Sequence, residues 1–163
     1  MNRLAFSGWL ALAAAVVLLD RGAKYLAAEH LRLGEAVALL PVLNLRLLHN
    51  TGAAFSFLSG AGGWQRWAFS LLAAAVSIVI VFWLRALAGR ERLLPCALAF
   101  IMGGALGNLW DRLAFGYVID FVEVYYDRFG WPPFPAFNVA DSAITVGAVL
   151  LILDALLSRR GAR

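Results

Sequence analysis

The chain has 163 residues, is 63% hydrophobic and only 15% charged, and has a mean hydropathy of +0.79, a composition that excludes an ordinary water-soluble domain. Its formal charge of +4 is spread between apolar runs and forms no groove-sized basic patch, which sets nucleic acid aside as a partner. The lone cysteine, Cys96, lies in an apolar run and excludes an intrachain disulfide.

Arg3 and the apolar residues after it superficially match a secretory leader. The run continues into Asp20, Arg21 and Lys24, however, and reaches no small-residue cleavage site followed by a soluble domain. It therefore reads as a retained helix over about 4–28. Three further apolar runs, 67–84, 93–110 and 139–157, are also long enough to cross a bilayer, since eighteen helical residues span about 27 Å against a hydrocarbon core of roughly 30 Å. Without an internal repeat or long linker, the expectation is an all-α integral membrane fold: one membrane domain over 1–163 with four transmembrane helices.

Arg3, Arg85, Arg90, Arg92, Arg159, Arg160 and Arg163 fall on one side of this even-numbered bundle. Basic residues accumulate in short cytoplasmic loops, so both termini are expected in the cytoplasm, and the connections 29–66 and 111–138 are expected across the membrane. Within the first connection, 42–48 alternates around Asn44 and Arg46 as a short strand would, and 49–57 reads as a turn with Asn50 and Gly52. The second carries Tyr117, Tyr125, Tyr126, Trp131 and several prolines, a mixture suited to lying in the headgroup layer.

Polar side chains near hydrocarbon are costly and become candidates for function, with a satisfied structural partner as the alternative. Asp20, Lys24, Asn108, Asp111, Arg112, Asn138 and Asp141 all map to the outward ends of helices one, three and four. Asp20 and Lys24, four apart, share a helix face and suit an ion pair, for which a structural role is the stronger reading. Lys24 is the only lysine, so a serine and lysine peptidase would have to use it with Ser56 or Ser59. Gly103 and Gly107 form a small-xxx-small surface for close helix contact. Asn138 and Asp141 at the start of helix four each suit an N-cap. Asp120 and Asp141 together also suit a pair of carboxylates sharing one proton, in which one activates water and the other polarises a carbonyl; spacing alone leaves that reading beside a structural one. A small transporter is a further alternative, though transport sites usually sit at mid-membrane and these polar groups gather at one end. His30 and His49 are far apart and in no ligand-spaced motif, so no metal is expected.

Five segments, in order and spacing, resemble the bacterial lipoprotein signal peptidases, the signal peptidase II family. They are LDRGAK around Asp20 and Lys24, NTGAAFSF from Asn50, GGALGNLWDR from Gly103, GYVIDF around Asp120, and FNVADS from Phe137. The resemblance covers nearly the whole chain. It implies an aspartyl endopeptidase of the bacterial inner membrane, with Asp120 and Asp141 as catalytic residues, that cleaves on the amino side of a lipidated cysteine in diacylglyceryl-modified prolipoproteins. It further implies that Asn50, Gly52, Asn108, Asp111, Arg112 and Asn138 line or support the substrate site, and that Asp20 and Lys24 are a supporting polar pair. A small periplasmic β-cradle, to which 42–57 and part of 111–138 would contribute, a mobile surface-lying outer segment and an active site near the periplasmic face are implied as well. No cofactor is expected; membrane lipid is an expected partner, and the protein is expected to be a monomer. The chain departs from the family pattern at Arg21 and Ala23, where a glutamine and a hydroxyl residue are often found, and at Phe134, often a tryptophan.

Overall fold

The structure is a computed structural model describing residues 3–52, 62–87, 92–125 and 134–161. Its elements in chain order are α1 (Arg3–His30), β1 (Ala36–Leu40), β2 (Leu43–Asn50), α2 (Trp64–Ala86), α3 (Leu93–Ala114), β3 (Val118–Val124) and α4 (Val139–Gly161). All four helices are long and apolar enough to cross a membrane. Leu18, Leu71, Ile78, Phe82 and Ile152 are exposed on their outer faces, an apolar surface that suits lipid and would be a liability in water.

All four helices outrun their expected apolar spans. α2 begins at Trp64, and α3 continues to Ala114, so that Asp111 and Arg112 sit in its last turns and not in a loop. Hydropathy marks only the segment crossing hydrocarbon, whereas the backbone ladder continues wherever polar side chains at the helix end find partners.

α3 is the centre of the bundle, packing on α1, α2 and α4. Its glycines make that possible, and they divide the work between neighbours. A Cβ on Gly103 would come within 2.7 Å of Val16 Cβ and 2.8 Å of the Ala13 carbonyl on α1, and one on Gly104 would collide with the Ala140 carbonyl on α4. Gly107 faces both helices, with Asp20 Oδ2 2.7 Å and Ala140 Cβ 3.3 Å from the position a Cβ would take. Without a hydrophobic force between helices in lipid, such close backbone contact is a main source of association. Ala13, Ile80, Leu84, Leu98, Ala99 and Met102 form the apolar core of the bundle.

The three strands form one antiparallel sheet in the order β1-β2-β3, at the end of the bundle where α1 and α3 finish and α2 and α4 begin. Alternation marked a strand over 42–48, but β2 runs on through His49 and Asn50, where a turn was expected; β3 lies in the 111–138 connection that the family resemblance implied for the cradle, and β1 was not expected. β3 hides from a period-two reading because both its faces are covered: Val118 to Phe121 are all buried, leaving no polar alternation. β1 hides for the opposite reason, as all five of its residues, AVALL, are exposed and apolar. The register slips between Leu45↔Val122 and Leu48↔Asp120, so β2 carries one extra residue there; beyond it Asn50 pairs with Val118. Residues 134–137 run along the free edge of β3, with Phe134 N–H donating to the Val124 carbonyl at 2.7 Å and Phe137 exchanging bonds with Val122 at 2.9 and 3.0 Å. β3 is thereby clamped between β2 and the chain that leads into α4. Residues 126–133, where the surface-lying segment was expected, lie outside the described residues.

Candidate active site

Every predicted polar residue among those described meets its partners at this end of the bundle, in two layers. The deeper layer surrounds Lys24, whose side chain is fully buried together with those of Asp20 and Asp111. An ammonium has three N–H groups. Here the ammonium donates to Asn108 Oδ1 at 2.9 Å, and its nitrogen lies 2.7 Å from both Asp20 Oδ2 and Asp111 Oδ2 in ion pairs. The carboxylates are anchored further: Asp20 Oδ1 accepts the Ala140 N–H of α4 at 2.9 Å, and Asp111 Oδ2 accepts the Ile119 N–H of β3 at 3.2 Å. The cluster thus ties α1 to α3, α4 and the sheet, the structural role expected for the Asp20 and Lys24 pair. It also holds Lys24 between two carboxylates and away from the cleft lining, which argues against a serine and lysine mechanism; Ser56 and Ser59 fall outside the described residues. Arg21 joins the cluster too, pairing with Asp111 Oδ1.

The second layer opens into a cleft of about 620 Å³ lined by Asn50, Asn108, Arg112, Asp120 and Asp141, with Phe134, Phe137, Ile144 and Val146 as its apolar walls. Lys24 determines how this layer is oriented. Because the Asn108 carbonyl oxygen is held by Lys24 and by Asn138 Nδ2 at 3.2 Å, its Nδ2 points the other way and donates to Asp141 Oδ1 at 2.7 Å.

Asn138 joins the two carboxylates. Its side-chain Nδ2 donates to Asp120 Oδ1 at 2.7 Å, while its backbone N–H donates to Asp141 Oδ2 at 3.2 Å and its Oδ1 accepts the Asp141 N–H at 2.9 Å. The last two bonds are a capping box, with Asn138 as N-cap and Asp141 at the third helical position of α4. The cap expected at Asn138 is therefore present, and it orients Asp141 while the same residue donates to Asp120. Asn50 Nδ2 donates to Asp120 Oδ2 at 3.0 Å, and Asn50 Oδ1 accepts the Gly52 N–H at 2.9 Å. Arg112 reaches the Gly52 carbonyl at 3.3 Å, and its guanidinium carbon lies 5.3 Å from the Phe69 ring centroid.

Asp120 is only 2% exposed. Burial, reinforced by the negative charge of Asp141, pushes its carboxyl up to about 7, although hydrogen bonds from Asn50 and Asn138 and the charge of Lys24 pull the other way. Such a group holds or releases a proton close to neutrality, the range in which acid and base catalysts operate. Gly52, Asp111 and Asn138 stand behind the cleft and support its lining. Three contributions escaped sequence reasoning: Arg21, the apolar walls from Phe134 and Phe137, and a latch on the sheet in which buried Glu123 accepts from Arg46 Nη1 at 3.0 Å and Asn44 Nδ2 at 3.1 Å. The latch had a signal, since Asn44 and Arg46 interrupt an apolar run, but their partner lies on a strand with no visible period. Among the described residues, no three His, Cys, Asp or Glu side chains gather as metal ligands would.

A bundle of membrane-length helices with a buried acid–base cleft at one rim defines the class: a polytopic membrane protein equipped for proton-transfer chemistry. Residues 12–157 match the sequence model of signal peptidase (SPase) II. A lipoprotein signal peptidase of Acinetobacter baumannii is 54% identical over 146 residues, covering 90% of this chain and 81% of that protein. One of Teredinibacter turnerae is 45% identical over 163 residues, covering 100% and 95%. A bacterial membrane enzyme solved by the in meso method at 2.3 Å resolution superposes with a TM-score of 0.84 at 30% identity, over 96% of this chain and 92% of that one. The chain belongs to the signal peptidase II family, and is a multi-pass bacterial membrane peptidase.

Proposed function

We propose that the chain removes signal peptides from diacylglyceryl-modified prolipoproteins, cutting on the amino side of the lipidated cysteine, with Asp120 and Asp141 as its catalytic pair. The observation that carries this reading is that both carboxylates line one cleft and are tied to one residue, Asn138. With one proton between them, the ionised carboxyl takes a proton from water as the water oxygen bonds to the scissile carbonyl carbon. The protonated one donates a hydrogen bond to the carbonyl oxygen. Collapse of the tetrahedral intermediate then breaks the C–N bond, and a proton passes from the pair to the leaving amine. The pair titrates as a unit, so either aspartate can hold the proton in the resting enzyme. Asn50, Asn108 and Asn138 keep the carboxylates from rotating, and Arg112 at the cleft wall is a fixed positive group for a peptide carbonyl.

The reading extends to topology and surroundings. Basic residues at the end remote from the cleft support cytoplasmic termini and a cleft at the outer membrane face. The apolar walls Ile144 and Val146 of α4 continue toward the lipid-facing bundle, which suits acyl chains entering from the bilayer. The working unit is taken to be a monomer, with Asn50, Asn108, Arg112, Asp120 and Asp141 all lining one cleft of one chain. Cleavage of a diacylglyceryl-modified precursor, with the unmodified precursor beside it, tests the proposal in Asp120→Asn and Asp141→Asn. Both variants should lose turnover, and near-normal activity in either would remove that residue from the mechanism.

A further inference from the structure

Arg21 lies outside the cleft and one layer behind the carboxylate pair, yet it completes the cluster on which that pair is mounted. Its side chain is 26% exposed, whereas that of its partner Asp111 is fully buried. Its guanidinium carbon also lies 5.6 Å from the centroid of the Phe115 ring, which limits where the group can go. Asp111 has two oxygens with two duties. Oδ2 takes Lys24 and the Ile119 N–H, and Oδ1 takes Arg21.

Ile119 immediately precedes Asp120, and its carbonyl accepts Asn138 Nδ2 at 3.2 Å, the same group that donates to Asp120 Oδ1. The orientation of Asp111 is therefore passed to Asp120 through one backbone unit. Charge leads to the same residue. Asp20 and Asp111 are two carboxylates facing one buried ammonium, Lys24, and Arg21 supplies the cation that makes the group neutral. Buried charges left uncompensated are costly and act over long range where water is scarce.

We propose that Arg21 is a positioning residue for the carboxylate pair: it holds Asp111, and through Ile119 the seat of Asp120, while cancelling the excess negative charge behind the cleft. The inference rests on Asp120 and Asp141 being the catalytic pair. The charged and titratable groups around this path are Asp20 and Lys24 from α1, Asp111 and Arg112 from α3, Asp141 from α4, and His49 of β2, stacked on Tyr117 at 3.9 Å. Arg21 is the cation of this set that pairs with Asp111 from the exposed side. Removing it leaves one negative charge in excess, which favours the protonated forms of the pair and moves both of its apparent titrations upward.

The test uses the full chain in lipid or detergent and a diacylglyceryl-modified precursor, with kcat, KM and the pH–rate profile measured for Arg21→Gln, Arg21→Lys, Asp120→Asn and the double variant Arg21→Gln with Asp111→Asn. Arg21→Gln should lose about tenfold in kcat with KM unchanged, as expected of a small misplacement of reacting groups. Its profile should be displaced to higher pH. Arg21→Lys should regain the wild-type profile, and so should the double variant, in which charge balance is restored even if the rate is not. A wild-type rate and profile in Arg21→Gln would overturn the inference, as would equal slowing of Arg21→Gln and Arg21→Lys with no change in profile, the signature of a merely structural role. Should Arg21→Gln fail to fold, the double variant decides: a displaced profile there contradicts the charge argument. Wild-type turnover by Asp120→Asn would instead overturn the catalytic pair itself, so the two failures are distinguishable.

Discussion

The Lys24 cluster and the Asp120 and Asp141 cleft are built from the same side chains, aspartates and asparagines with a cation close by, and share Asn108, yet their electrostatics are opposite. Around Lys24 each buried carboxylate faces a cation. At the cleft, two carboxylates are held by neutral amides, and the effect of Asp141 on Asp120 is repulsive. Compensated charge gives rigidity and little reactivity. Burial, with a like charge beside it, gives a proton that moves near neutral pH. The contrast separates a supporting layer from a reacting one within a single polar network, and it indicates which substitutions should stop chemistry and which should loosen the fold.

The largest effect falls on the cleft. Asp120→Asn and Asp141→Asn should each lower turnover by about a thousandfold, within the range for loss of a positioned acid or base. At pH 8 their thermal midpoints should be no lower than that of the wild type, because relief of like-charge repulsion offsets the hydrogen bond lost. A large drop in midpoint would blur the distinction between the layers. Lys24→Met makes the opposite test. It strips Asp20 of its cation, leaves Asp111 with Arg21 alone, and should cost about 3 to 5 kcal/mol in unfolding measurements, with activity lost alongside the fold. A stable, inactive Lys24→Met would bring Lys24 into the chemistry.

Gly104→Ala probes the scaffold that brings the layers together. Its Cβ would collide with the Ala140 carbonyl at the start of α4, one residue before Asp141, so a loss of about 1 to 3 kcal/mol is expected, with a fall in kcat as Asp141 shifts. Wild-type stability in this variant would mean that α3 and α4 are not in the close contact described. Asn50→Ala is the gentlest. The hydrogen bond from Asn50 favours ionised Asp120, so its loss raises the Asp120 titration, and the pH–rate profile should move up by less than about one unit. A downward shift would contradict the assignment of Asn50 as a donor to the charged form.

How far the sequence could carry this contrast depended on the kind of signal. The four spans are legible because an unbroken apolar stretch of membrane length rarely occurs in a water-soluble fold. Both aspartates are legible because acids near hydrocarbon are expensive, and Asp20 and Lys24 because four-residue spacing fixes a shared helix face. Of the strands only β2 is: β3 is buried on both sides and β1 exposed on both, and neither produces the alternation that betrays a half-buried strand. Arg21 shows in the sequence only as a departure from the family pattern, and its role does not. One residue after Asp20, it looks like an interfacial arginine, and only the fold brings Asp111, ninety residues away, beside it. The dual role of Asn138 was half visible, since a cap can be read from position, whereas its donation to Asp120 needs β3 in place.

The central claim is that Asp120 and Asp141 interact as a like-charged buried pair, and it is tested most directly by following the carboxyl of Asp120 spectroscopically, with isotope-labelled aspartate, through a pH titration of the wild type and of Asp141→Asn. Titration of Asp120 near about 7 in the wild type, falling when Asp141 is neutralised, is the predicted result. Titration in the ordinary carboxylate range in both proteins would contradict it.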